Sequence, residues 1–248
     1  MRDQILWIFI AILLVGCQKE PIEVDEYADC RTTVELNNSK ADTKTGLIEF
    51  DIIPDKSYTT KGAVLTSKDR LWPDATIPYY FQPTTPHSSG GSIMGFNREE
   101  DKDKIRAAIR ELEMETGLKI IEYQSRESLL LMHKDGVRII PGIFNSSAHK
   151  GRQGGIQPIH LAFDLNPRTI KHEFLHTVGF GHEFQRADRD EYVEVLYDNM
   201  IEHWHRQFDI DPLTVDCGKF DINSVMMYGS YQIKTEGDKP IMLTVDGE

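Results

Sequence analysis

The sequence predicts an α+β domain, in which a few strands and one helix precede a second helix that carries a metal-binding pattern. Short apolar runs bounded by turn residues recur from position 71 to position 163, which is typical of strands. Residues 97–117 instead repeat their apolar positions every three or four residues, as an amphipathic helix does. Three histidines then fall within residues 172–182, at the end of another helical segment. Strands and helices segregated in this way predict an α+β architecture with a cleft beneath the sheet.

The first sixteen residues are typical of a signal peptide. An unbroken apolar run from Ile5 to Gly16 follows Arg2 and is too short to span a bilayer as a helix. It ends in Leu-Val-Gly-Cys, which resembles the lipobox of bacterial lipoproteins, and this makes Cys17 the expected site of lipidation. Residues 1–16 would then be removed and acyl chains would attach the exported protein to the membrane. The alternative is a plain signal peptide with a coincidental cysteine.

The residues after Cys17 refine the expected location. Gln18 rather than aspartate follows the cysteine, which favours sorting to the bacterial outer membrane. Residues 18–20 also resemble the short signal that sends some bacterial lipoproteins to the cell surface. The prediction is therefore an outer-membrane lipoprotein that is exposed at the cell surface.

Residues 18–70 have too little apolar content to fold alone, so they either pack on the rest of the chain or remain mobile. The stretch 18–29 is polar and acidic, as expected of a tether. Within 30–70 the apolar run 47–53 partly alternates with polar residues and predicts a strand.

The next strand is expected at residues 77–81, an apolar and aromatic run that contains Pro78. Because proline cannot donate a ladder hydrogen bond, we predict this strand at a sheet edge. The Pro/Ser/Gly-rich stretch 83–95 predicts a loop. Asn97 is the predicted N-cap of the following helix, with Glu100 as its capping-box partner.

Between this first helix and the second the sequence predicts mostly strands. The helix should end at Gly117, which can adopt a left-handed conformation. A glycine-rich, basic loop is expected at 147–155, and a short helical stretch follows much later, at 199–208. Strands are expected at residues 118–123, 128–132, 137–140 and 157–163.

The second helix has clear start and stop signals. Asn166 is a good N-cap residue, and Pro167 suits the first helical position. Gly179 can end the helix and let the chain reverse.

The histidine pattern on this helix has the spacing of a catalytic zinc site. His172 and His176 are four residues apart, so they stack on one helix face and can both reach a metal ion. Glu173 lies beside the first ligand and could take a proton from a metal-bound water. His182, beyond the turn, can supply the third ligand. We expect one Zn²⁺ per chain.

Composition narrows the remaining functions. The chain has 248 residues, 40% hydrophobic and 27% charged, which is the composition of a globular protein with a sizeable core. Its net charge of -12 argues against a nucleic-acid partner, since phosphate binding requires clustered lysine and arginine.

Several segments together resemble the astacin family of zinc metalloendopeptidases. Residues 182–193 follow the family's H-E-x-x-R-x-D-R-D-x-Y-V pattern, and residues 151–157 are similar to its G-R-x-G-G-x-Q pattern. The Trp-Pro and Ile-Pro-Tyr pairs within 72–79 and the Met-x-Tyr-Gly segment at 226–229 add to the match. The resemblance covers residues 71–245. It implies an astacin-like metzincin (zincin) fold, a twisted mixed sheet with an active-site helix and a zinc cleft.

The resemblance also implies roles for individual residues. Glu173 would be the general base and acid, and the three histidines would be the zinc ligands. Met226 would form the Met-turn beneath the metal. Tyr228 would ligate zinc at rest, as a candidate fifth ligand, and swing toward the transition-state oxyanion. Glu183 would be buried and paired with the N-terminus of the activated enzyme.

An astacin-like enzyme would hydrolyse protein or peptide substrates, and we expect it to act as a monomer. The substrate would lie extended along a sheet edge. Gly154, Gly155 and Gln157 are the candidate substrate contacts at the rim of the cleft. A different function remains open, in which a catalytically silent lipoprotein uses this fold to bind peptides or proteins.

The resemblance divides the chain into a signal peptide (1–16), a tether and propeptide (17–70) and a catalytic domain (71–248). Cys30 could supply a thiolate that occupies the zinc and keeps the enzyme latent. A disulfide with Cys217, or a free thiol, are the alternatives.

Activation would require cleavage near Lys68 or Arg70.

The family pattern continues into a Gly-Gln-Arg segment and a closing helix that this sequence lacks, so we expect the C-terminus to be shortened.

Overall fold

The computed structural model describes the predicted catalytic domain and a short piece of the segment before it. Described are residues 52–53, 68–86, 92–93, 95–142, 145–210, 216, 218–231, 233 and 239–246. The predictions for the signal peptide, the tether, Cys17, Cys30 and Cys217 lie outside these residues. Within this part of the chain, no helix combines the length and the apolarity that a bilayer span requires.

The described part of the chain contains both α-helices and strands, numbered here in chain order. The α-helices are α1 (Glu99–Thr116), α2 (Arg126–Met132), α3 (Pro167–Val178) and α4 (Glu202–His205). The strands are β1 (Ile52–Ile53), β2 (Thr76–Phe81), β3 (Thr85–Pro86), β4 (Ser92–Ile93), β5 (Lys119–Tyr123), β6 (Gly136–Pro141), β7 (Ser147–His149), β8 (Ile156–Leu161), β9 (Val193–Val195) and β10 (Met242–Thr244).

Six of these strands form one mixed sheet in the order β1-β7-β8-β6-β2-β5. Neighbouring strands run parallel except for the antiparallel pair β7 and β8. Helices α1 and α3 pack on one face of the sheet. Their apolar stripes meet the inward side chains of β2, β6 and β8 in the main core, which includes Ile77, Ile105, Leu112, Val137, Ile139, Ile159, Ile170 and Phe174. The predicted α+β class with a mixed sheet is confirmed.

Helix α1 confirms the apolar periodicity but begins later than predicted. Ile105, Ala108, Ile109 and Leu112 are all buried, and Gly117 ends the helix with φ 71°. The N-cap is Arg98, and its side chain makes no capping hydrogen bond. Asn97, the predicted cap, instead accepts a hydrogen bond from the Thr84 hydroxyl at 2.6 Å through its Oδ1.

The strand predicted at 128–132 is wrong, because these residues belong to α2. Ser125 caps this helix, and its Oγ accepts from the Ser128 backbone N–H while the Ser128 hydroxyl accepts from the Ser125 N–H. This reciprocal pair satisfies two backbone donors that a strand would have left to the sheet. Only Leu129 is buried, although residues 129–132 are all apolar.

The edge position predicted for β2 is also wrong, because β2 lies between β5 and β6. Pro78 is tolerated there because the pairing with β6 begins only at Tyr79, one residue later. The missing N–H of the proline therefore removes no bond from that ladder.

A second apolar cluster holds the C-terminal part of the domain. It joins the turns that follow α3 to α4 and to the β9–β10 pair, and it contains Phe184, Met200, Phe208, Ile233, Ile241 and Met242. The end of α3 lies between this cluster and the sheet, which is where the histidines are placed.

Candidate metal centre

Helix α3 forms as the sequence predicts and sets the direction of the site. The Oδ1 of Asn166 accepts a hydrogen bond from the Arg168 N–H at 2.9 Å, and Pro167 occupies the first helical position. The helix ends at Gly179, whose φ of 126° is strained for any residue with a Cβ. The Gly179 N–H is bonded to the carbonyls of His176 and Leu175, and the chain then turns back toward the helix.

The turn brings the three predicted ligands together. The ligand nitrogens of His172, His176 and His182 all lie within 4.8 Å of one another, and all three residues are buried. The ring centroids of His176 and His182 are 4.8 Å apart, although one ring is on the helix and the other is beyond the turn.

Main-chain carbonyls orient two of the rings. His172 donates from Nδ1 to the Val225 carbonyl, and His176 donates from Nδ1 to the Phe180 carbonyl, both at 2.8 Å. A carbonyl can only accept, so each Nδ1 carries a proton, and Nε2 is the ring nitrogen left to face a metal ion. The Nδ1 of His182 lies 3.2 Å from the Oε1 of Gln185, which acts in the same way. Three buried imidazoles held by such partners are the donor set that zinc binds.

The predicted acid–base residue lies within the same turn of helix. Glu173 follows His172 directly and is 1% exposed, so its carboxylate is buried rather than solvated on the outer face of α3. Its backbone carbonyl accepts from the Thr177 hydroxyl at 3.1 Å, which adds to the helical bond at this position.

The segment 224–229 forms the floor of the site. Met226 is 3% exposed, and its carbonyl accepts from the Glu183 N–H at 3.0 Å. The ring of Tyr228 lies 4.7 Å from that of His182 and 6.4 Å from that of His172, measured between centroids. The structure therefore places Tyr228 beside two of the histidines and bonds the Met226 carbonyl to the residue that follows the third.

A family comparison agrees with this geometry. Residues 64–248, most of the chain, match the sequence model of a peptidase family that is described as Astacin. The chain belongs to the astacin family.

Relatives of this astacin come from animals and bacteria. The zinc metalloproteinase nas-14 of Caenorhabditis elegans is 27% identical over 82% of this chain and 38% of its own length. Flavastacin of Elizabethkingia meningoseptica is 27% identical over 78% of this chain and 41% of its own length. The chain thus spans about two fifths of each. Astacin-like metalloprotease toxin 1 of Loxosceles intermedia is 31% identical over 78% of this chain and 67% of its own.

A solved structure of a zinc-protease shows the same fold. High choriolytic enzyme 1 of Oryzias latipes, a hatching enzyme zinc-protease, superposes with a TM-score of 0.58 at 21% identity. The match covers 74% of this chain and 86% of that one. The predicted astacin-like fold is confirmed.

Glu183 of this astacin is buried beside an arginine. Its Oε1 accepts from the Asp221 N–H at 3.0 Å and from Arg186 Nη1 at 3.2 Å. Burial raises the pKa of the Glu183 carboxyl to about 7, against the opposing effect of these two donors. Arg186 is 2% exposed and also bonds both carboxylate oxygens of Asp188. The predicted pairing of Glu183 with a new N-terminus concerns the cleaved enzyme and stays a prediction.

The three candidate substrate contacts differ in exposure. Gly154 and Gly155 are exposed in the turn before β8, with φ of 86° and 68°. Gln157 is 2% exposed, which leaves its side chain no surface to offer a substrate in this conformation. It accepts from the Gln153 N–H at 2.8 Å and donates to the Gly151 carbonyl at 3.0 Å. Its contacts thus hold the loop ahead of β8.

The same loop holds the segment where activation cleavage is predicted. Arg152 donates to the Leu71 carbonyl from Nε at 3.0 Å and to the Asp69 carbonyl from Nη2 at 2.6 Å. Its own N–H donates to the Arg70 carbonyl at 2.8 Å, and its Nη1 pairs with Asp135 at 2.5 Å. We call Arg152 and Asp135 the junction clamp.

Sequence reasoning did not find the residues that orient the site. Gln185 and Gln207 carry no motif of their own, and Val225 and Phe180 act only through backbone carbonyls. To predict these contacts from the sequence, the path of the backbone after Gly179 would have to be known.

Proposed function

We propose that this astacin is a zinc metalloendopeptidase that hydrolyses peptide bonds of protein substrates. The observation that carries the proposal is the convergence of three buried histidines, two of them on α3, which also carries the buried Glu173. The zinc metalloproteinase nas-14, which aligns with 82% of this chain, supports the assignment.

His172, His176 and His182 would hold a zinc ion through Nε2. The ion would polarise the scissile carbonyl and lower the pKa of a coordinated water. Glu173 accepts the proton of the attacking water on a carboxylate oxygen and returns it to the leaving amine nitrogen. The Tyr228 hydroxyl donates to the oxyanion that forms on the substrate carbonyl.

Cleavage of casein or gelatin tests this proposal. The processed protein should cleave, a chelator should stop cleavage, and added zinc should restore it. Glu173→Gln should be inactive while it binds zinc as tightly as the parent, since Glu173 is not a ligand. No cleavage by the zinc-loaded, processed parent would favour the binding-module alternative instead.

We also propose that the chain is made as a zymogen whose segment 17–70 covers the substrate edge. The support is that β1 pairs with β7 in parallel, Ile52 opposite Ala148 and Ile53 opposite His149. β1 and β7 are neighbours at one end of the sheet, so β7 becomes the edge strand when β1 is removed. An extended substrate would then pair with this exposed edge by β-augmentation. A substrate strand and β1 cannot occupy that edge together.

Activation would follow cleavage near Lys68 or Arg70, within a single 3₁₀ turn, Lys68–Arg70, that the junction clamp holds. N-terminal sequencing of active protein tests this proposal. An active chain that still begins before residue 53 would contradict it.

The role of Cys30 is tested separately. Activity of uncleaved Cys30→Ser with zinc bound supports a cysteine that occupies the zinc, whereas unchanged latency contradicts it. Non-reducing mass analysis separates a disulfide with Cys217 from a free thiol.

We propose further that the protein is exported and anchored in the bacterial outer membrane through lipidated Cys17, with its domain at the cell surface. The support is the apolar run that ends at a lipobox-like cysteine. Metabolic labelling with a fatty acid should mark the parent and not Cys17→Ala. Protease treatment of whole cells should remove the domain, and its survival would contradict surface exposure.

Sedimentation of the detergent-free domain from residue 64 onward tests the predicted monomer.

A further inference from the structure

Gln207 contacts the hydroxyl of Tyr228 through its side-chain amide. It lies in the 3₁₀ turn Arg206–Phe208, is 5% exposed, and places its Nε2 3.2 Å from the Tyr228 hydroxyl oxygen. Gln207 belongs neither to the zinc motif nor to the Met-turn. It lies near Tyr228 because the turn that follows α4 brings it there.

The direction of this hydrogen bond matters for what the tyrosine can do. An amide NH₂ group only donates, so the Tyr228 oxygen is the acceptor. The phenolic proton is then directed away from Gln207. A donor to the phenolic oxygen also fixes the hydroxyl in place, whereas an unbonded hydroxyl would rotate.

Neighbouring contacts hold Gln207 itself in place. Its backbone carbonyl accepts from Gln185 Nε2 at 2.8 Å, and Gln185 Oε1 faces the Nδ1 of His182 at 3.2 Å. The next carbonyl, that of Phe208, accepts from the Tyr197 hydroxyl at 3.1 Å and from Arg189. The backbone carbonyl of Gln207 is thus linked to the third histidine through the Gln185 side chain, and the next residue, Phe208, belongs to the second apolar cluster.

We propose that Gln207 is a positioning residue that donates to the Tyr228 oxygen and so directs the Tyr228 proton toward the oxyanion of the substrate. This rests on the proposed peptidase function. Gln207 touches neither substrate nor metal and acts only through Tyr228. The interaction should therefore affect the turnover step, where the oxyanion forms, more than substrate binding.

Two substitutions separate the direction of the bond from its presence. Gln207→Leu removes the donor, and we expect kcat to fall about fivefold with little change in KM, the factor of one net hydrogen bond. Gln207→Glu has nearly the same shape, but its carboxylate only accepts. The Tyr228 hydroxyl would donate its hydrogen bond to this carboxylate instead of to the substrate oxyanion. The kcat should therefore fall further than in Gln207→Leu and approach that of Tyr228→Phe.

The effect should disappear when the tyrosine hydroxyl is absent. In a Tyr228→Phe background, Gln207→Leu and Gln207→Glu should leave kcat unchanged, since there is no phenolic oxygen to position. Zinc content and thermal unfolding of each variant verify folding, and Gln207→Leu keeps the test available if the buried glutamate prevents folding.

Affinity for a phosphinic peptide gives a readout that is independent of turnover. Its tetrahedral anion resembles the transition state, so its affinity should follow kcat/KM across the series, whereas affinity for an uncleaved amide analogue should not change. A loss that persists in the Tyr228→Phe background, or a rise in KM alone, would overturn the positioning role. If the parent shows no Glu173-dependent cleavage, it is the proposed function that fails.

Discussion

Replacement of Arg152 should loosen the predicted activation site more than it loosens the domain. In Arg152→Leu, the Asp135 carboxylate, 9% exposed, loses its ion pair and keeps only the Gly155 N–H at 2.6 Å. The carbonyls of Asp69 and Leu71 lose their charged donors as well.

The magnitude follows from these contacts. Breaking a buried ion pair costs about 3–5 kcal/mol, and the 22% exposure of the Arg152 side chain places this one near the lower end. The two carbonyls face solvent and add little, because water replaces the lost donor. We expect the free energy of unfolding to fall by about 3 kcal/mol. Arg152→Lys keeps the charge but not the fork, and should lose about half as much.

Limited trypsin digestion measures the local effect, since trypsin cuts after Lys68 and Arg70. The matched control is Leu112→Ala, a core truncation of comparable expected cost, about 2–5 kcal/mol, far from this segment. Urea unfolding establishes that the two variants are equally destabilised. Arg152→Leu should then be cut after Arg70 at least about tenfold faster, the factor that corresponds to about 1.4 kcal/mol of local opening. Equal rates in both variants would refute the clamp.

Three further predictions concern the metal and the charges. Gln185→Leu should weaken zinc affinity by about tenfold in a chelator competition, because His182 loses the acceptor that fixes its tautomer; unchanged affinity would contradict that role. Removal of zinc should lower the Tm, and returning it at about 1,000 times its Kd should restore about 4 kcal/mol, whereas an unshifted Tm would argue against a folded-state site. Arg106 hydrogen bonds hold the pKa of Glu122 below its ordinary value, so the folded state binds fewer protons than the unfolded one and the pair stabilises the fold above that range. Arg106→Gln should therefore cost about 0.5–1 kcal/mol at pH 7, and this difference in unfolding free energy should shrink as the pH falls through about 4; a constant difference would contradict it.

The site could be predicted from the sequence where it depends on local geometry. The two histidines on α3 are neighbours because of helical spacing, and the glycine that follows them allows the turn, so both conclusions needed only a dozen residues. Gln207 could not be found in this way, since its contact with Tyr228 joins positions 21 apart through turns without a distinctive sequence.

The errors in the fold have the same origin. An apolar run of Leu and Met fits a short strand or a short helix equally well, and α2 is helical because Ser125 and Ser128 cap each other. The place of β2 inside the sheet depends on where its partner strand begins, which no property of Pro78 reveals. Periodicity thus predicted most elements, whereas tertiary pairing decided their neighbours.

The partners of the three histidines differ in a way that bears on how the site can change over time. His172 and His176 are oriented by main-chain carbonyls, which every residue type carries, so substitution at positions 225 and 180 leaves those acceptors in place. The third ring depends on a side chain at position 185. The two histidines on the helix therefore keep their acceptors when neighbouring residues are substituted, whereas the third histidine can lose its acceptor by a single substitution. Variation in metal affinity should arise through residue 185, while two of the three ligands tolerate sequence drift around them.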